Sequence, residues 1–400
     1  MAQHQKPTGI EQPHRADAGQ ANSVGQDSVS NIRLKGHVPA LDGVRGLAII
    51  MVLAIHFIGN VTPRGKLEGI ICHIATYGAL GVDLFFVLSG FLITGILFDS
   101  RKKPAYFRNF YMRRVLRIFP LYYAVLLFGL VIVPLFVSQP DLNAAVRLQG
   151  WLWSYSANIY LGIAGEWHAL PIFSHFWSLA VEEHFYFVWP LVVFLCDGPR
   201  LKRSAILVAC GALVLRVVMV ACNVNDVAVS ALTPGRLDAL SMGGLMAVIA
   251  REEGGLARLT RLAPRTLGLG FAFIVISFLF TRIFPQWKLM FHEVRQTAFA
   301  VCFCAMIVFS LTGPRIIRRI FNSRFMMFFG KYSYGLYVFH FLYGYFLLTR
   351  RTADVIATWV GSHILATMLQ AVLATGAAVI ISLISYHGFE KHFLKLKTRF

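Results

Sequence analysis

Residues 41–57 read Leu41-Asp42-Gly43-Val44-Arg45-Gly46-Leu47-Ala48-Ile49-Ile50-Met51-Val52-Leu53-Ala54-Ile55-His56-Phe57. Apart from Asp42, Arg45 and His56 the stretch is apolar or small, and about 20 such residues at 1.5 Å each cross most of a bilayer core of about 30 Å. Arg45 and His56 are therefore ionisable groups inside a membrane span, where each is costly and each is a functional candidate by default. They stand eleven residues apart. At 100° per residue they share a helix face to within roughly 20°, separated by about 16.5 Å along the axis. A topology anchor for Arg45 and an interhelical polar contact for His56 are the structural alternatives.

The rest of the chain has the same character. Of 400 residues, 57% are hydrophobic and 14% are charged, with a mean hydropathy of +0.62, whereas soluble chains carry about 25% charged residues. This excludes an ordinary cytoplasmic enzyme and predicts an all-α polytopic membrane protein. Apolar runs place ten transmembrane helices at about 41–59, 77–98, 117–137, 175–196, 204–222, 232–250, 266–284, 295–312, 329–349 and 363–386. Residues 148–163, with Trp151, Trp153, Tyr155, Asn158 and Tyr160, have an interfacial composition. They predict one outer re-entrant or interfacial helix.

Residues 1–36 hold few large apolar side chains and read as a disordered cytoplasmic tail. Without an apolar h-region they are no signal peptide. Residues 37–390 form the membrane domain, and 391–400 a basic cytoplasmic tail. The net charge of +19 would suggest nucleic acid in a soluble protein. With ten spans and both termini inside, however, 25 Lys and Arg fall in the inner segments close to the spans and eight in outer ones, so the charge is expected to report topology in a plasma membrane. The partners expected are the lipid bilayer and no nucleic acid. The six cysteines have no metal spacing and read as small hydrophobes, with a Cys72–Cys222 bridge left open. No internal repeat is visible, which disfavours transporters built from inverted halves.

Other polar groups inside spans are Asp83, Glu182, Glu183 and His340, which the predicted topology puts in the outer half. Structural readings stand beside them: a polar network for the carboxylates, and a partner within its Tyr-rich helix for His340. Arg113, Arg114 and Arg117 cluster at the inner end of the third span. Arg236 and Asp238 lie about 200° apart on one helix, so each needs a partner on another span. Ser89, Ser178 and Ser333 lack an adjacent base or a Gly-x-Ser-x-Gly elbow and read as packing residues, while Gly90, Gly95, Gly243 and Gly244 permit close helix contact.

A set of ordered motifs resembles the acyltransferase 3 family of membrane O-acyltransferases. These are Arg45 and His56 with ten residues between them; Gly81-Val82-Asp83-Leu84-Phe85-Phe86-Val87-Leu88-Ser89-Gly90-Phe91-Leu92-Ile93; Arg114-x-x-Arg117 within residues 110–120; and Phe176-Trp177-Ser178-Leu179-Ala180-Val181-Glu182-Glu183-His184-Phe185-Tyr186. Arg236–Leu240 and Tyr332–His340 match more loosely. His184 stands where many members have Gln.

The resemblance implies transfer of an acyl group, expected to be acetyl, from cytoplasmic acyl-CoA to a hydroxyl of a carbohydrate or lipid-linked carbohydrate. Cell-surface polysaccharide, lipopolysaccharide, peptidoglycan and glycosides are candidate acceptors, and a bacterial inner membrane is the expected location. Some members carry an added extracellular hydrolase-like domain. The chain continues 14 residues past its last predicted span and is expected to have none. On this reading His56 is the general base, Asp83, Glu182 or Glu183 the carboxylate that orients it, and Arg45, Arg113, Arg114 and Arg117 hold the donor phosphates. No metal is expected. The alternative is a transporter or exporter using the same His, Glu and Arg residues as a substrate or proton path.

Overall fold

The structure, a computed structural model, describes residues 36–347 and 352–400, with the backbone alone for 342–347. The expected N-terminal tail, apart from Gly36, and Arg350 and Arg351 lie outside the described residues. Among the described residues the secondary structure is entirely helical. In chain order the helices are α1 (Pro39–Ala54), α2 (Lys66–Thr76), α3 (Leu80–Ser100), α4 (Tyr106–Leu127), α5 (Pro140–Arg147), α6 (Gln149–Trp153), α7 (Ala157–Ala164), α8 (Trp177–Leu195) and α9 (Gly198–Ala221). They continue as α10 (Asp226–Ala231), α11 (Thr233–Ile249), α12 (Gly255–Ile283), α13 (Lys288–Thr312), α14 (Arg315–Phe321), α15 (Arg324–Leu347), α16 (Thr352–Val360), α17 (His363–Ser385) and α18 (Lys391–Leu396).

Among the described residues, eight helical stretches are long and apolar enough to cross a membrane: Pro39–Gly59, Lys66–Ser100, Tyr106–Leu135, Ser174–Leu195, Gly198–Ala221, Gly255–Ile283, Pro285–Thr312 and His363–Arg399. The chain is an integral membrane protein. Two further helices stand where the sequence predicts spans. One is α15; the other, α11, has only 17 residues and carries buried Arg236 and Asp238. It packs against α3, α9 and α13, so protein rather than lipid surrounds its polar groups. Residues 148–163 form two short helices rather than one, because the chain breaks at Ser154–Ser156 with Tyr155 in the left-handed region (φ +54°). The C-terminal residues are helical too: α17 runs through a π-turn at Tyr386–Glu390 into α18, which packs against α4. All six cysteines are free.

Two close crossings organise the bundle. A Cβ on Gly43, Gly46 or Gly330 would drive into the carbonyl oxygen of Phe321, Met326 or Asp42, so α1 lies against the α14–α15 segment backbone to backbone. Gly90 and Gly243 do the same for α3 and α11, facing the carbonyls of Leu240 and Val87. Helices associate inside a bilayer through such packing because lipid supplies little hydrophobic drive between them. α1 is thereby held between α15 and α3. Its last residues, Ile55–Gly59, open into a π-turn, a distortion frequent at functional sites, and His56 lies in it.

Candidate functional site

Helices α1, α3, α4, α8 and α15 enclose a cavity of about 590 Å³. Its wall includes Arg45, Arg113, Arg114 and Arg117 together with Glu182, Glu183, Ser178 and Tyr337. The arginine cluster follows from α4, where residues 114 and 117 are neighbours on one helix face. Arg45 Nη1 donates to Asp42 Oδ1 at 2.6 Å, and the other carboxylate oxygen of Asp42 meets His37 Nε2 at 2.5 Å. Arg114 lies over the Phe110 and Tyr186 rings, 5.9 and 5.8 Å from their centroids, and its Nε is buried with no hydrogen-bond partner. Among the described residues, Arg113, Arg114 and Arg117 make no ion pair. Guanidinium groups in that state are ready to take an anion in bidentate fashion.

The two adjacent glutamates both line the cavity and differ in engagement. Glu182 Oε2 accepts from Tyr186 Oη at 2.9 Å, and the same tyrosine lies 2.5 Å from Ser89 Oγ. Glu183 keeps a buried carboxylate oxygen, Oε1, without a partner. Ser178, expected to be a packing residue, instead lies 2.5 Å from Tyr337 Oη, which donates to the His175 carbonyl at 2.9 Å.

Tyr337 leads from the cavity to a cluster of imidazoles. Its ring centroid is 5.5 Å from that of His340 and 5.7 Å from that of His175. His340 lies 4.7 Å from His56 and 5.2 Å from His175. The reading of His340 as satisfied within its own helix is half right. Its Nδ1 meets the Tyr337 carbonyl at 2.7 Å, while its Nε2 is buried and unpartnered. His175 is the mirror case, with Nε2 3.3 Å from the Val338 carbonyl and Nδ1 unpartnered. A carbonyl only accepts, so in the neutral rings the proton sits on the bonded nitrogen and the other nitrogen presents a lone pair. His56 Nδ1 is likewise buried without a partner.

No hydrogen bond or ring contact joins His56 to Asp83, Glu182 or Glu183 among the described residues; its ring neighbours are His340 and Phe341. Asp83 pairs with Arg236, which also hydrogen-bonds Gln296 and lies over the Phe86 and Trp177 rings. Asp238 Oδ2 accepts from Arg216 Nη2 at 2.8 Å and from Thr297 at 2.6 Å. Arg216 also bonds the Gly235 carbonyl and faces Glu293 at 3.4 Å. The cross-helix partners required for Arg236 and Asp238 are thus Asp83 and Arg216, and this network draws Asp83 away from His56. Sequence reasoning passed over His175, although it immediately precedes the Phe176–Tyr186 motif, and Tyr337, three residues before His340. No group of three or more His, Cys, Asp and Glu side chains among the described residues is arranged to hold a metal ion.

A family model described as an acyltransferase domain, that of acyltransferase 3, matches residues 38–387. The sequence is 27% identical over 377 residues to the peptidoglycan O-acetyltransferase OatA of Listeria monocytogenes, covering 88% of this chain and 55% of the relative. It is 28% identical over 324 residues to the O-acetyltransferase OatA of Staphylococcus aureus, covering 76% and 50%. YrhL of Bacillus subtilis, provisionally described as a peptidoglycan O-acetyltransferase, is 26% identical over 386 residues, covering 89% and 54%. The chain spans about half the length of these relatives. No solved structure matches it.

Proposed function

Because the chain belongs to the acyltransferase 3 family, we propose that it transfers an acetyl group from cytoplasmic acetyl-CoA to a carbohydrate hydroxyl at the outer face of a bacterial inner membrane. The observation that carries this reading is the cavity, whose wall joins the guanidinium groups of Arg113, Arg114 and Arg117, which have no ion-pair partner among the described residues, to Tyr337, which lies against the imidazoles of His175 and His340. The relatives named O-acetyltransferases, one of them acting on peptidoglycan by its name, favour acetyl and a glycan acceptor. In this reading the arginine cluster faces the cytoplasm, in keeping with the asymmetry of basic residues. α11 and α15 complete ten crossings, both termini lie inside, and α6 and α7 lie at the outer face.

The chemistry balances with the groups present. The acceptor hydroxyl oxygen attacks the thioester carbonyl while His56 takes its proton; the carbon–sulfur bond then breaks, and the CoA thiolate recovers a proton from the imidazolium. Arg45, Arg113, Arg114 and Arg117 hold the donor phosphates and so place the thioester, which is catalysis by positioning. Glu183, with a free oxygen, is the carboxylate available to a substrate; Asp83, committed to Arg236, acts by holding α3 to α11.

The test uses purified protein in liposomes with labelled acetyl-CoA and a glycan acceptor. Label on the glycan with release of CoA is expected, and movement of solute without transfer would sink the reading. Orientation is checked separately, in a background without reactive native cysteines. A cysteine at Gln139 should react with an impermeant thiol reagent from outside, and cysteines at Lys102 and Arg258 only after lysis.

A further inference from the structure

Beside the main cavity lies a second, of about 210 Å³, which shares Asp42, Arg45, Arg117 and Tyr334 with it. Its remaining wall comes from α15, α17 and the C-terminal segment, including Lys331, Ser382, Glu390 and Lys397. Three features mark it as an anion site. Lys331 Nζ sits 5.1 Å from the Tyr332 ring and 5.3 Å from the Tyr386 ring, which positions the ammonium without using its donors. Ser382 is 1% exposed, and its hydroxyl is buried with no hydrogen-bond partner. The two acids in the wall are already engaged: Asp42 with Arg45 and His37, and Glu390 with Ser385 Oγ at 2.9 Å. Lys331, Lys397 and Arg117 have no ion-pair partner among the described residues, so positive charge is in excess.

We propose that this smaller cavity binds a phosphomonoester, specifically the 3′-phosphate on the ribose of the acyl-CoA donor, through Lys331, Lys397 and the Ser382 hydroxyl. The proposal rests on the donor reading above. Arg45 and Arg117 wall both cavities, so a diphosphate held on them sends the pantetheine arm into the larger one and the ribose phosphate into the smaller. A terminal phosphomonoester carries close to two charges and three acceptor oxygens, which matches two ammonium groups and a hydroxyl. The basic C-terminal residues then belong to a binding site rather than to a free tail.

The experiment compares binding of CoA and 3′-dephospho-CoA to the full chain in detergent. Wild type should bind CoA about tenfold more tightly or better, as one or two charge-assisted contacts imply. In Lys331→Ala/Lys397→Ala the affinity for CoA should fall by about that factor while that for dephospho-CoA stays, bringing the ratio close to one. Ser382→Ala, which removes only the unpartnered hydroxyl, should reduce the same ratio by a smaller factor, and Lys397→Arg should retain it. A preference for CoA that survives the double substitution, or an equal loss for both ligands, overturns the subsite while leaving donor binding intact. A wild type that binds both ligands equally, with added phosphatidylglycerol competing against each, assigns the cavity to a lipid headgroup and overturns it too. Failure of wild type to bind either ligand overturns the donor reading itself and the subsite with it.

Discussion

Two groups of ionisable side chains lie inside the bundle, and they have been treated oppositely by the fold. Around α11, two guanidinium groups (Arg216 and Arg236) are ion-paired with three carboxylates (Asp83, Asp238 and Glu293), and Gln296, Thr297 and the Gly235 carbonyl add hydrogen bonds, although Arg216 Nε, Arg236 Nε and Glu293 Oε2 make none. Along α1, α4, α8 and α15, by contrast, Arg114 and Arg117 have no ion-pair partner among the described residues, Glu183 keeps a free oxygen, and His56, His175 and His340 each keep a free ring nitrogen. Both groups cost free energy to bury. The first recovers much of it through ion pairs within the protein; the second leaves cations and ring nitrogens that something entering could engage. A buried charge in a span is thus a poor indicator of function by itself, and whether it has an ion-pair partner within the protein is a better one.

The largest expected effect tests the unsatisfied group. His56→Ala should lower transfer by roughly 10²- to 10⁴-fold, the usual contribution of a general base, while leaving donor affinity nearly intact, because the base acts on the transition state. Normal transfer by correctly inserted protein would remove His56 from the mechanism. The satisfied group should respond in the opposite currency. Arg216→Met leaves Asp238 and Glu293 buried without their cation, a loss of about 3–5 kcal/mol of stability, to be read from unfolding in detergent, with transfer per folded molecule unchanged. If stability holds and transfer is lost, the contrast between the two groups is wrong.

Much of this was legible beforehand, and the rest was hidden for identifiable reasons. Long apolar runs disclose where spans lie, and the 200° between Arg236 and Asp238 disclosed that each looks to a different neighbour. Which neighbour was not readable, because Asp83 and Arg216 reach them only through the close crossing of α3 on α11 and the packing of α9. Asp83 therefore looked like a partner for His56. His175 escaped notice because it sits just outside α8, and no helical periodicity ties it to His340. The smaller cavity draws Lys331, Ser382 and Lys397 from three separate segments, and each alone reads as an anchor or a packing residue. The break at Tyr155 depends on a single left-handed residue, which composition does not reveal.

An intermediate effect belongs to the arginine mouth. Arg114→Ala and Arg117→Ala should each weaken donor binding by about 1.5–3 kcal/mol, roughly tenfold to a hundredfold, through loss of a charge-assisted phosphate contact. Stability should fall less than in Arg216→Met, since neither arginine forms an ion pair among the described residues. Titration of CoA against each variant decides this. Affinities equal to wild type would make the cluster a topology anchor and nothing more.

The smallest effect comes from a third set of charges, gathered on a carboxylate outside the membrane-spanning stretches, which supplies the baseline for the other two. In the turn between α11 and α12, Glu252 pairs with Lys202 and accepts from Arg258 Nη2 at 3.0 Å. The hydrogen bond from Lys202, with the charges of both cations, holds the Glu252 carboxyl below its ordinary value of 4.5. A group whose folded pKa is depressed contributes stability above its unfolded pKa and loses it as pH falls through the folded one. Glu252→Gln should therefore cost something at pH 7, with the difference from wild type vanishing as acid is taken below the folded pKa. The pair is partly exposed, so water competes for both ions and the cost at pH 7 should not exceed about 1 kcal/mol. Unfolding in detergent at pH 7 and at successively lower pH measures it. If Glu252→Gln destabilised the protein as much as Arg216→Met, burial would not be what separates these clusters, and ion pairing alone would account for the stability assigned to the α11 network.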